Sequence, residues 1–161
     1  MIPAPFDYLR ADSIEHAVAL LAEHGDDAKL LAGGHSLLPM MKLRLALPSV
    51  LIDVRRIADA SYIRVDGDVV AVGALTRHRD LVGSEVLHAE APLLSTVANY
   101  VGDPQIRNRG TIGGSLAHAY LAADLPAAGH ASHAMLAVRA PQGRRETARS
   151  AFFPRPFETA F

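Results

Sequence analysis

Two stretches of one chemistry limit what this 161-residue chain can become: Ala32-Gly33-Gly34-His35-Ser36-Leu37-Leu38-Pro39 and Thr111-Ile112-Gly113-Gly114-Ser115-Leu116. Each places paired glycines before a hydroxyl residue and a leucine, and each opens a helix-like run. A strand that runs into glycines and then a helix presents unpaired backbone N–H groups beside the positive end of the helix dipole. Glycine there lets a phosphate approach amides that a side chain would hold at a distance. Neither loop contains Lys or Arg, so binding would run through backbone and hydroxyl donors. Gly-x-Gly-x-x-Gly and Gly-x-x-x-x-Gly-Lys are both missing, which removes the dinucleotide and triphosphate fingerprints. One such loop is an ordinary turn; two of them suggest two backbone cradles for one ligand carrying two phosphates.

The segments around the loops follow from periodicity and punctuation. Ser13 is placed to cap a helix over Ile14 to His24, with Ile14, Ala17, Val18 and Leu21 on one face and Gly25 at the stop. Ala28 to Ala32 reads as a short buried strand leading into the first loop. Ser36 is expected to cap the next helix, which carries Pro39 in its first turn and runs to about Leu45, with Leu37, Met41 and Leu45 as its core-facing stripe. Pro48 ends it, and Val50 to Val54 is a second buried strand. Residues 1–54 therefore read as a small parallel α/β lobe.

Beyond Arg55 the texture changes. Tyr62 to Val65 and Val69 to Val72 flank Asp66-Gly67-Asp68, a hairpin signal. Thr76 is expected to cap a short helix through Leu81 and Val82. A longer helix spans about Pro92 to Val101, with Leu93, Leu94, Val97, Ala98 and Val101 aligned, and Asp103-Pro104 stops it. After the second loop comes a helix or turn around Leu116 to Leu125. Met135 to Arg139 and Arg145 to Ala148 form another hairpin around Pro141-Gln142-Gly143. Residues 55–161 thus read as an α+β lobe with an antiparallel sheet. Phe152, Phe153, Pro154, Pro156, Phe157 and Phe161 make an apolar end, from which a fragment of a longer polypeptide is expected.

Composition excludes several functions. Cysteine is absent, so this chain has no thiolate nucleophile and no cysteine-held zinc or iron–sulfur cluster. A formal charge of -1, no Trp and 6% aromatic residues give nucleic acid neither a basic surface nor a stacking platform. No apolar run approaches the roughly 18–20 residues of a membrane span. The first residues lack the pattern of a signal peptide. A cytoplasmic protein is the expectation, and any redox role must use a bound cofactor.

The loop sequences resemble a known family. Residues 32–45, Ala32-Gly33-Gly34-His35-Ser36 through Arg44-Leu45, are similar to the first flavin-binding loop of the medium, FAD-binding subunit of molybdenum carbon monoxide dehydrogenases. That subunit belongs to the wider xanthine dehydrogenase group of molybdenum hydroxylases. Asp103-Pro104-Gln105-Ile106-Arg107-Asn108-Arg109-Gly110, running on through Thr111–Ser115 to His118, resembles the second loop. Ala122-Ala123-Asp124-Leu125-Pro126-Ala127, and Phe152-Phe153 with Pro156-Phe157-Glu158-Thr159, continue the likeness in order. The resemblance implies a two-lobed, α+β FAD-binding domain of the PCMH (vanillyl-alcohol oxidase-like) type with the cofactor between the lobes. Ala32, Gly33, Gly34, His35 and Ser36, together with Thr111, Ile112, Gly113, Gly114 and Ser115, would clasp FAD around its pyrophosphate, and Asp124 would contact the sugar or ribityl region. Electrons would come from a molybdopterin large subunit through 2Fe-2S clusters on an iron–sulfur small subunit and leave to an external acceptor. The implied assembly is a dimer of heterotrimers in the cytoplasm, where partners could bring it to the inner face of the membrane. Tyr120-Leu121 stands where the family usually has Asp-Pro, which removes a carboxylate near the flavin. Gly129-His130-Ala131-Ser132-His133 replaces an apolar passage, with a weaker sheet as the expected result.

Other constellations are thinner. His130 and His133, with His118, lack the fixed third ligand a metal site needs. No Ser–His–Asp arrangement can be assembled, because Ser36 and Ser115 serve better as caps and phosphate donors. Arg107 and Arg109 flank the second loop, either as a solvated turn or as charges toward a partner or a phosphate. The reading from another class is a non-catalytic assembly module that kept the fold and lost the flavin; a stand-alone FAD oxidase is a third.

Overall fold

The structure is a computed structural model, and it describes residues 1–120, 123–148, 152, 153 and 159. The first elements are β1 (Asp7–Arg10), α1 (Ile14–His24), β2 (Ala28–Leu31), α2 (Leu37–Lys42) and β3 (Val50–Asp53). The three strands form a parallel sheet in the order β1-β3-β2, with Arg10 and Leu31 both level with Asp53. The central strand is buried along its whole length, as expected for an apolar run flanked on both edges. Ser13 caps α1, its Oγ accepting from the His16 amide, and Gly25 ends it at φ +55°. Ile14, Ala17 and Leu21 pack toward Val50, Ile52 and Val54. Val18 faces a groove shared with Arg139, Ala140 and Pro141 instead.

Several expectations are corrected here. Strand β1 was not anticipated: Asp7-Tyr8-Leu9-Arg10 has one aliphatic residue, and its pairing with β3 makes it a strand. Helix α2 closes at Lys42 rather than near Leu45, because Arg44 takes a left-handed conformation at φ 60°. Leu45 is consequently 72% exposed and leaves the stripe, while Met41 stays buried with Leu31 and Leu51. Ser36 makes no capping hydrogen bond, since its own backbone is already helical (φ -98°, ψ -52°).

The remaining elements are β4 (Ile63–Asp66), β5 (Val69–Val72), α3 (His78–Val82), α4 (Glu85–Glu90), α5 (Pro92–Tyr100), α6 (Pro104–Arg107), α7 (Ile112–His118), α8 (Asp124–Ala131), β6 (Met135–Ala140) and β7 (Gly143–Ala148). Leu81, Leu87, Ala98 and Leu125 form their core, ringed by Leu94, Val97, Val101 and Ile112. Leu93 turns out to solvent. Among the described residues the antiparallel strands make two separate ladders, β4-β5 and β6-β7. Asp103 does more than stop α5: its carboxylate accepts from the Ile106 amide and starts α6. Thr76 caps nothing; its Oγ1 accepts from the Tyr62 amide and donates to the Tyr62 carbonyl. The span expected as one helix or turn is α7 and α8, joined through a left-handed Ala119; Leu121 and Ala122 lie outside the described residues. Of the apolar end, Phe152 is buried with its ring edge-on to Phe153, while Pro154, Pro156, Phe157 and Phe161 lie outside the described residues.

Candidate functional site

The first loop leaves the carboxyl end of β2, where parallel sheets open a crevice for ligands. There its backbone meets the approach to the second loop. A Cβ on Gly33 would lie 2.4 Å from the Arg109 carbonyl oxygen and 2.9 Å from Gly110 Cα, so only glycine allows the two segments to touch. A Cβ on Gly114 would come within 4.0 Å of Ala32 Cβ. Residues 76 to 82 positions apart in the chain therefore share one seam.

The second loop is strapped in place by residues 74–78. The Gly113 amide donates to the Ala74 carbonyl at 2.8 Å, Ile112 to Thr76 at 3.0 Å, and the His78 amide to Gly110 at 3.0 Å. Arg77 stands opposite Thr111 in this short antiparallel bridge. Within the loop, Thr111 is the helix cap: its Oγ1 accepts from the Gly114 amide at 3.2 Å, while the Ser115 amide donates to the Thr111 carbonyl.

These bonds make the two loops unequal. The amides of Ile112, Gly113, Gly114 and Ser115 are all committed within the protein, so the second loop is not the open cradle its glycines suggested. Gly113 is glycine because a Cβ would meet Ala74 at 2.6 Å, a packing reason rather than a ligand reason. The loop's side-chain polar groups are the Thr111 hydroxyl, which already accepts from the Gly114 amide, and the Ser115 hydroxyl. In the first loop, no described residue accepts from the amides of Gly33, Gly34, His35 or Ser36, while the Gly34 and Ser36 carbonyls accept from the Leu38 and Met40 amides. Gly34 sits at φ +80°, a left-handed turn of the kind that lines up successive amides. Nδ1 of the exposed His35 lies 3.3 Å from the Gly33 carbonyl and steadies that turn.

The remaining expected residues fall as follows. Asp124 is the exposed first residue of α8, and no described contact ties it to either loop. Arg107 is not free for a phosphate: its guanidinium donates to the carbonyls of Asn99, Val101 and Gly102 and closes the end of α5. Arg109 reaches the seam through its carbonyl. His118 stacks on Tyr120, ring centroids 6.3 Å apart. Among the described residues no three His, Asp or Glu gather as metal ligands.

Two buried polar groups escaped the sequence reading. His78 is 4% exposed, with its ring against Gly110, and its Nδ1 has no hydrogen-bond partner among the described residues. Burial, aided by the nearby His35, lowers its pKa from 6.5 to about 4, so it is neutral at physiological pH. An unpaired buried polar atom costs about 1–3 kcal/mol. Position 78 gave no signal, because a histidine opening a short helix looks like any polar surface residue. The second group is Asp53 at the end of β3, held by a forked Arg55 bridge (2.6–3.0 Å) and the Tyr8 hydroxyl. Burial pushes its carboxyl up, but the bonds from Arg55 and Tyr8 outweigh it and leave the pKa at about 2.

Residues 4–161 match the family model described as FAD binding domain in molybdopterin dehydrogenase. The chain belongs to this family. Members similar to it include the carbon monoxide dehydrogenase medium chain of Hydrogenophaga pseudoflava, 50% identical over 95% of this chain and 53% of that protein. The 6-hydroxypseudooxynicotine dehydrogenase complex subunit alpha of Paenarthrobacter nicotinovorans is 49% identical over 91% of this chain and 49% of its own length. Among solved structures, the Hydrogenophaga pseudoflava carbon monoxide dehydrogenase lacking the Mo-pyranopterin moiety superposes with a TM-score of 0.98 at 48% identity. It covers all of this chain and 56% of that one. The chain thus spans about half the length of the curated relatives it matches. It shares the α+β FAD-binding fold of this family, and the seam between the glycine loops lies inside the matched region.

Proposed function

We propose that this chain holds FAD at the seam of its two glycine loops, as part of the medium subunit of a carbon monoxide dehydrogenase-like molybdenum hydroxylase. The observation that carries this reading is the row of open amides at Gly33, Gly34, His35 and Ser36, set against the Arg109–Gly110 backbone by contacts only glycine permits. An uncharged row of amides at the end of a parallel strand suits a pyrophosphate.

In this reading residues 1–54 and 55–161 are the two lobes of the FAD domain, and the cofactor lies between them. Residues 32–36 bind the pyrophosphate through their amides and the Ser36 hydroxyl. Thr111 and Ser115 add hydroxyls, Ile112 to Gly114 supply the wall, and Asp124 bonds the sugar or ribityl hydroxyls. The chemistry FAD supplies when bound is electron carriage between 2Fe-2S clusters on a small subunit, fed by a molybdopterin large subunit, and an external acceptor. The chain's own work is to bind, orient and shield. A dimer of heterotrimers in the cytoplasm is the assembly this implies.

The test is a visible spectrum of the purified protein after FAD is added and excess removed. A flavin band retained in one-to-one amount is the expected result. Loss of the band, in the chain alone and in complex with its iron–sulfur and molybdopterin partners, would instead favour a cofactor-free assembly module.

A further inference from the structure

We propose that the stacked rings of His118 and Tyr120 form an aromatic wall of the flavin cleft, against which a planar ring of the cofactor, isoalloxazine or adenine, lies. This rests on the reading of the two loops as the flavin site. Helix α7 carries the wall. It starts at the Thr111 cap, and Gly114 faces the first loop, where a Cβ would lie 4.0 Å from Ala32 Cβ. His118 stands one turn beyond Gly114 and three residues beyond Ser115, so the three share a side of the helix. Helical side chains lean toward the N-terminus, which carries the imidazole back toward the seam. Ala117, on another side, is exposed, whereas His118 is half-buried.

The backbone beyond the helix is bent to place Tyr120. Ala119 is left-handed at φ 53°, a conformation that costs energy in any residue with a Cβ and that glycine adopts freely. Its amide donates to the Leu116 carbonyl at 3.2 Å, and the Ala123 amide donates to the Tyr120 carbonyl at 3.0 Å, so the bend is pinned on both sides. It sets Tyr120 against His118, ring centroids 6.3 Å apart and planes 29° from parallel. Strain of this kind gathers at ligand clamps. Tyr120 still has 48% of its surface open. A ring braced by one neighbour and half open is a platform for a flat group, and stacking on it is tolerant of which flat group arrives. The open amides of the first loop suit a pyrophosphate but offer nothing to the ring systems of FAD; the wall supplies that.

The experiment is a calorimetric FAD titration of the whole chain and of Y120L and Y120F. Tyr120 is at the surface, so both variants should melt close to wild type. Y120L should bind FAD about fivefold or more weakly, while Y120F, which keeps the flat ring, stays within about twofold. In wild type, the ring-proton resonances of Tyr120 should shift on saturation with FAD, and this readout decides if Y120L does not fold. Bound-flavin emission names the ring. A phenol in contact quenches excited flavin, so emission brightens in both variants where isoalloxazine lies on the wall and is unchanged where adenine does. Wild-type affinity in folded Y120L, or Tyr120 resonances that do not move, overturns the wall and leaves the flavin site standing. No FAD binding by the wild-type chain overturns both.

Discussion

At residue scale, two buried titratable groups both cost stability as pH falls, each in its own window. The unfolded chain protonates its histidine near 6.5, whereas His78 in the fold resists until about 4. Between those values the unfolded state binds the extra proton, so stability falls as pH drops through this window. The full effect is on the order of 3 kcal/mol. Urea midpoints at pH 7 and pH 4.5 should therefore separate for wild type and draw together in H78L; an equal separation in both would show that His78 is not the source. Asp53 acts lower. Its depressed pKa contributes stability that is present above about 3.8 and lost as pH falls toward about 2. D53N removes the charge that faces Arg55 and turns one of the two acceptor oxygens into an NH2 donor, so Arg55 and Tyr8 must share a single acceptor, and about 1–3 kcal/mol of stability should go with it in a denaturant titration. Arg55 is half in water and limits the loss.

At the scale of elements, caps separate the two loops. Thr111 bonds the Gly114 amide, whereas Ser36 bonds no helix amide. Thermal melts should therefore show T111A less stable by about 1 kcal/mol and S36A close to wild type. A matched loss in S36A would mean the first loop is capped as the sequence suggests. Most elements were legible because apolar runs end in Gly, Pro or Asp: α1 at Gly25, β4–β5 around Gly67, and α5 before Asp103-Pro104. The misses share a cause, which is that distant partners decided. β1 needs β3. Thr76 looks like a cap until Tyr62, fourteen residues away, takes its hydroxyl. Leu45 completes a four-residue spacing on paper, but the left-handed Arg44 turns it into solvent.

For the whole molecule, the sequence pairs the two glycine loops, which the structure brings into contact, but does not tell how their amides are used. Their motifs are alike; only the fold reveals that residues 74–78 use the second loop's amides and leave the first loop's open. The strap residues and His78 were illegible for that reason, since each matters only through what it touches across the seam. The family likeness supplied the cofactor, and the open amides are the place we propose for it. The central claim is that contact between Gly33 and the Arg109–Gly110 backbone builds the flavin cleft, and its most direct test is a parallel FAD titration of wild type and G33A by calorimetry, with circular dichroism to check folding. A methyl group at Gly33 meets the Arg109 carbonyl and must part the loops. One FAD should bind per wild-type chain, and G33A should bind at least tenfold more weakly with its helices retained. Equal FAD affinity in the two folded proteins, or none in wild type, would contradict the account.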